Sequence, residues 1–157
     1  KEMLSMRLLA STLALLFAFS AAPIAASQES DVMATVSRFI DALNRNDAKA
    51  ALATCATQAS IIDEFPPHEW QGPNACEDWA TAYAAENGKD GITDGIVTLG
   101  KPWHLDVRAD RAYVVVPATY TYKERGTPKA ERDSIFTVAL RRLAAGWRIT
   151  GWAWSRH

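Results

Sequence analysis

The chain has 157 residues, 48% of them hydrophobic and 22% charged, with 17 basic against 18 acidic side chains. A formal charge of −1 gives no field for nucleic acid or for an anionic membrane surface. The length suits one domain built round one core.

The N-terminal part is not read as fold. After Arg7 a run without charge extends from Leu8 to Phe19, followed by Ser20, Ala21, Ala22 and Pro23 and the small residues Ala25, Ala26 and Ser27. That is the layout of a secretory signal peptide, with an apolar core too short to span a bilayer comfortably. A retained anchor is the structural alternative. Residues 1–27 are therefore expected to be a signal peptide and residues 28–157 a single periplasmic or secreted domain, free of the membrane once the signal is removed.

Beyond the signal the pattern turns helical. Val32, Val36, Phe39, Ile40 and Leu43 follow the 3 and 4 spacing of one apolar face, with Ser30 or Asp31 available as N-cap. Asn44 to Asp47 read as a stop and restart, in which Asn46 takes the left-handed position and Asp47 caps a second, alanine-rich helix through Ala53. A third helix is expected from Gly72-Pro73, with Ala75, Trp79 and Tyr83 as its apolar stripe and Asn87-Gly88 as its end.

From Gly95 the period falls to two. The runs Gly95 to Leu99, Trp103 to Arg108, Ala112 to Tyr122, Asp133 to Leu143 and Trp147 to Trp154 read as strands of an antiparallel meander. Pro117 lies inside the longest run, where a missing N–H is tolerated only at an edge or a bulge, and a bulge bends the sheet. The expected architecture is α+β: a curved antiparallel sheet, or cone, with three N-terminal helices packed over its concave side.

Cys55 and Cys76 both fall in the part expected to be exported, where a disulfide is permitted. Closing a loop of about twenty residues stabilises a fold by roughly 3 kcal/mol on the chain-entropy model. Two buried free thiols are the rival reading.

The stretches FIDALNRND (Phe39 to Asp47), ASIIDEF (Ala59 to Phe65), WQGPNACEDW (Trp70 to Trp79) and WRITGWAWS (Trp147 to Ser155) resemble the nuclear transport factor 2-like superfamily, which includes ketosteroid isomerases and SnoaL-like polyketide cyclases. The resemblance implies the same cone, with a deep apolar pocket between sheet and helices. In ketosteroid isomerases a pocket aspartate moves a proton beside a ketone while a tyrosine and a protonated aspartic acid hold the oxyanion. Counting along the chain, the resemblance puts the base on Asp63 and a pocket aromatic on Trp79. It puts the two oxyanion donors on Phe39 and near Val138, neither of which has a proton to donate. An oxyanion-hole donor is worth roughly 2.7 to 4 kcal/mol of barrier, so a site lacking both is expected to be a poor steroid isomerase.

Asp63 has two readings: a general base whose pKa is raised by desolvation, or an ionised acid at a strand end, facing water or capping an amide. Glu64 is expected on the opposite side of a continuing strand, as a solvated charge. His68 follows Pro66-Pro67 and His104 alternates with Trp103 and Leu105; either assists Asp63 only if its ring reaches a pocket. With His157 they share no ligand spacing, so neither a metal nor another cofactor is assigned.

The aromatic supply is the fuller signal. Tyr120 and Tyr122 share one strand face, as do Trp152 and Trp154, and the superfamily's pocket side matches Trp154, Val138 and Phe136. With Phe39, Trp79 and Tyr83 these residues form a pocket for a flat or apolar molecule, or else fill the core of a small domain. Arg148, placed by alternation on the Trp152 side, either meets a ligand carboxylate or snorkels to solvent. The expected function is binding of a small apolar or aromatic ligand by an exported domain. The alternative is an isomerase, cyclase or dehydratase using Asp63 as base. A homodimer through the open sheet face, common in the superfamily, is compatible with both.

Overall fold

The computed structural model describes residues 22–156, with side chains from residue 26 onward. The signal-peptide expectation lies largely outside the described residues, as does His157. The elements in chain order are helix α1 (Ala22–Asn44), α2 (Ala48–Leu52), strands β1 (Cys55–Ile62) and β2 (Glu69–Gly72), α3 (Ala75–Asp90), β3 (Ile92–Leu99), β4 (His104–Arg108), β5 (Arg111–Glu124), β6 (Thr127–Leu143) and β7 (Gly146–Arg156).

α1 buries the face read from its periodicity: Val32, Val36, Phe39 and Ile40 are buried, and Leu43 packs against them. It begins well upstream of Ser30 and Asp31, so neither caps it. Asn46 takes the left-handed conformation (φ 56°), and Asp47 caps α2 by accepting the Ala50 N–H at 3.0 Å. α3 starts later than Gly72-Pro73, with Asn74 as N-cap, and passes through Gly88 to a left-handed C-cap at Gly91. Glu77 and Asp78 lie in its first turn, where the positive end of the helix favours them.

The strands form one open sheet in the order β2-β1-β7-β6-β5-β3, with β4 also paired to β5. It is a mixed sheet rather than a purely antiparallel meander, because β1 runs parallel to β7. That pairing brings two chains unusually close: a Cβ on Gly151 would stand 2.7 Å from the Ser60 carbonyl oxygen. The β5–β6 hairpin closes through Arg125 and Gly126, both at positive φ, as a two-residue primed turn requires. This tight turn lets β6 begin at Thr127 instead of Asp133.

Pro117 sits where β5 changes partner. On one side β5 pairs with β4 through Val115 and with β3 from Ala118, and the Pro117 carbonyl accepts the Gly100 N–H of the connecting loop at 2.8 Å. The proline is thus at a gap in the ladder, where no N–H is missed.

Bulges re-aim side chains across this sheet. In the register, Arg132 and Asp133 of β6 face the single residue Thr119 of β5; Thr150 is the extra residue of β7 between Gly151 and Ile149; and Asp94 and Gly95 of β3 span one residue of β5. Phe136, Val138, Leu140, Ile149, Val114 and Val116 supply the sheet's share of the core, and Cys55 and Cys76 are bonded to each other, tying β1 to α3.

Candidate functional site

A cavity of about 520 Å³ lies among α1, α3, the β1–β2 loop and β3, β5, β6 and β7. Its walls are largely aromatic. Phe39 of α1, Trp79 and Tyr83 of α3, Tyr120 of β5, Phe136 of β6 and Trp152 and Trp154 of β7 all line it. Phe39 stacks on Phe136 with ring centroids 6.2 Å apart, Trp79 stacks on Tyr83 at 5.2 Å, and Trp152 meets Trp79 edge-on at 4.7 Å.

α1 is held at this cavity by its last residue. Asn44 accepts the Val97 N–H and donates to the Val97 carbonyl, both at 2.8 Å, so that its side chain pairs with β3 as a strand residue would. Gly95 leaves room on β3, since a Cβ there would stand 2.7 Å from the Tyr120 hydroxyl. The space lets Tyr120 hydrogen-bond Tyr83, oxygen to oxygen, at 2.9 Å. Burial and the neighbouring Tyr83 hydroxyl both push Tyr120 well above the ordinary tyrosine pKa, so Tyr120 keeps its proton and the linked hydroxyls supply a donor in the cavity.

Asp63 lines the same cavity. Its Oδ2 accepts the Trp79 indole N–H at 2.8 Å and its Oδ1 accepts the Glu64 amide at 2.7 Å. Asp63 thus accepts from a backbone amide and also lines the cavity. Burial pushes its carboxyl up to about 6, against the lowering effect of the Trp79 and Glu64 hydrogen bonds. A carboxylate with that value and free lone pairs is able to accept a proton near neutral pH.

Three of the other charged lining residues, Glu64, Glu131 and Arg156, form a network that sequence reasoning missed. Glu64 does not point away from Asp63: β1 ends at Ile62, the chain turns, and both carboxylates face the cavity. Arg156 at the end of β7 is ion-paired to Glu64 through Nε and to Glu131 through Nη1 at 3.1 Å, and the Tyr122 hydroxyl donates to Glu131 at 3.3 Å. Burial raises the Glu131 carboxyl, with Arg156 opposing the shift. Glu131 reaches the cavity because the bulge at Arg132 and Asp133 reverses the alternation of β6 and sets it opposite Tyr120.

Other candidate residues fall elsewhere. His68, at φ 71°, is exposed, and its Nδ1 lies 3.1 Å from the Asp63 carbonyl oxygen; its ring is not part of the cavity wall. His104 is exposed on β4 beside Tyr113, with ring centroids 5.8 Å apart. Val138 is fully buried in the core, next to the cavity residues and not among them. Arg148 does not share the Trp152 face, because Thr150 is inserted between them; it donates to the Trp147 carbonyl instead.

No curated protein sequence matches the chain. Solved structures match its fold. A protein of unknown function from Mycobacterium tuberculosis superposes with a TM-score of 0.72 at 14% identity, over 89% of this chain and 78% of that one. A nuclear transport factor 2-like superfamily protein from Salmonella enterica gives 0.71 at 14%, over 84% and 92%. A protein from Streptomyces avermitilis, proposed to be a dehydratase of the same family, gives 0.69 at 16%, over 84% and 97%. The family model for the SnoaL-like domain matches residues 32–156. The chain belongs to the SnoaL-like domain family, and its fold is that of nuclear transport factor 2-like proteins of known structure.

Proposed function

We propose that this protein is an exported domain that binds a small apolar or aromatic molecule in the cavity, with the three helices lying over the concave side of the sheet. The observation that carries the reading is the 520 Å³ cavity walled by Phe39, Trp79, Tyr83, Tyr120, Phe136, Trp152 and Trp154. Its size suits a ligand of two or three fused rings. The Cys55–Cys76 bond supports export, since such bonds persist in oxidising compartments. Extraction of protein purified from its native compartment, followed by mass spectrometry, tests the reading. It predicts a co-purifying apolar or aromatic compound that is lost when Ala80 on the cavity wall is replaced by Phe.

A second reading is favoured by one specific observation, the Asp63 carboxyl raised to about 6 in an apolar cavity. In this reading Asp63 takes a proton from carbon next to a ligand carbonyl, and the Tyr83–Tyr120 pair donates to the oxygen that gains charge. The tyrosine pair then does what Phe39 and Val138 are unable to do. Deuterium incorporation from heavy water into a panel of enolisable ketones, abolished by Asp63→Asn, is the expected result; incorporation that survives the substitution rules Asp63 out as the base.

A further inference from the structure

The cavity wall is unbalanced in charge. Among the described residues Asp63, Glu64, Asp94 and Glu131 line it, against Arg156 alone on the basic side. Asp94 is neutralised at the surface by Lys123 at 2.8 Å. The single guanidinium of Arg156 is divided between Glu64 and Glu131, on the exposed side of the network, where its own side chain is 55% accessible. Asp63 receives only neutral donors, the Trp79 indole and the Glu64 amide. A carboxylate removed from water with no cation beside it is costly, and a positive charge supplied by a ligand offsets that cost.

The aromatic walls act in the same direction. The face of an aromatic ring attracts a cation placed over it, and indole does so most strongly. Trp79, Trp152 and Trp154 line the cavity that Asp63 also lines, with Tyr83 stacked on Trp79. A neutral ligand would use the apolar area and leave Asp63 uncompensated. An anionic one would add to the repulsion among three carboxylates. We infer that the ligand class is a flat aromatic or alicyclic amine, carried as its ammonium form, with the ring system among Phe39, Phe136 and the tryptophans and the ammonium group against Asp63.

This inference rests on the reading of the cavity as a binding site, and the test separates the two. Three compounds of one shape, 2-naphthylmethylammonium, 2-naphthylmethanol and 2-naphthoate, are titrated into the protein by calorimetry at neutral pH and moderate salt. The ammonium compound is expected to bind at least about tenfold more tightly than the alcohol, and the naphthoate most weakly. In Asp63→Asn and in Glu131→Gln the ammonium-to-alcohol ratio is expected to fall toward one, with alcohol binding showing in each variant that the cavity is still formed. Equal affinity for ammonium and alcohol, tighter binding of naphthoate, or a ratio untouched by both substitutions would overturn the amine assignment while leaving the cavity a binding site. Failure of all three compounds to bind the unsubstituted protein would remove both.

Discussion

The indole N–H of Trp79 donates to Asp63 Oδ2 at 2.8 Å, across sixteen positions of sequence. This bond joins α3 to the end of β1 and fixes an acid that burial raises to about 6. Replacing Trp79 by Phe keeps a ring in the wall and removes the donor. Since the bond lowers the Asp63 pKa, the variant is expected to titrate above the value of about 6 in the unsubstituted protein. Carboxyl carbon NMR through a pH series measures this; an unmoved midpoint would mean that the bond does not act on Asp63 in solution.

The same acid ties stability to pH. A carboxyl raised from 3.8 to about 6 binds its proton more tightly folded than unfolded, so between those values stability falls as pH rises. Asp63→Asn removes the effect. The stability of the variant minus that of the parent is expected to grow by about 1 to 3 kcal/mol between pH 4 and pH 7. Urea unfolding at the two pH values checks it, and a constant difference would contradict it.

Gly151 is required by the parallel β1–β7 pair. An added methyl group meets the Ser60 carbonyl oxygen at 2.7 Å, and Ser60 and Gly151 are partners in the paired strands. Gly151→Ala is expected to cost about 1 to 3 kcal/mol, with amide exchange accelerated first in β1. A variant as stable as the parent would show that the two strands separate at little cost.

The Cys55–Cys76 bond closes a loop with a sequence separation of 21 that contains Asp63, the β1–β2 loop and the start of α3. Reducing it, or replacing both cysteines by Ser, is expected to cost about 3 kcal/mol. The loss should appear as a lower melting temperature in the presence of a thiol reductant for the parent and no effect of reductant on the double variant.

Much of the fold is legible in the sequence because it is locally encoded. The spacing of Val32, Val36, Phe39 and Ile40 announces one helix face, Asp47 announces a cap, and alternation announces the last strands. The β1–β7 pair is not local: Ile61 and Trp152 are neighbours only because the chain returns after the whole of the intervening sheet. Two features that sequence could not place, the inward turn of Glu131 and the outward turn of Arg148, have one cause. Each lies beyond a bulge, and a single inserted residue exchanges the faces of everything after it. Alternation does not place Glu64, because β1 ends at Ile62. The aromatic wall is legible because Phe136, Trp152 and Trp154 lie on the same side of their bulges as the residues they meet. The Tyr83–Tyr120 pair needed Gly95, whose role is visible only once the Tyr120 hydroxyl occupies the space a side chain would fill.

The central claim is that the cavity among α1, α3 and the sheet receives a flat apolar molecule. Nitrogen-15 NMR of the tryptophan indoles during titration with 2-naphthylmethanol tests it most directly, because the tryptophans stand at different distances from the cavity. Trp79, Trp152 and Trp154 line it, whereas Trp103 is exposed near β4 and Trp147 lies outside the wall. Saturable shifts of the Trp79, Trp152 and Trp154 resonances are expected, with Trp103 and Trp147 unmoved. Shifts centred on Trp103, or no saturable shift of any cavity indole, would contradict it.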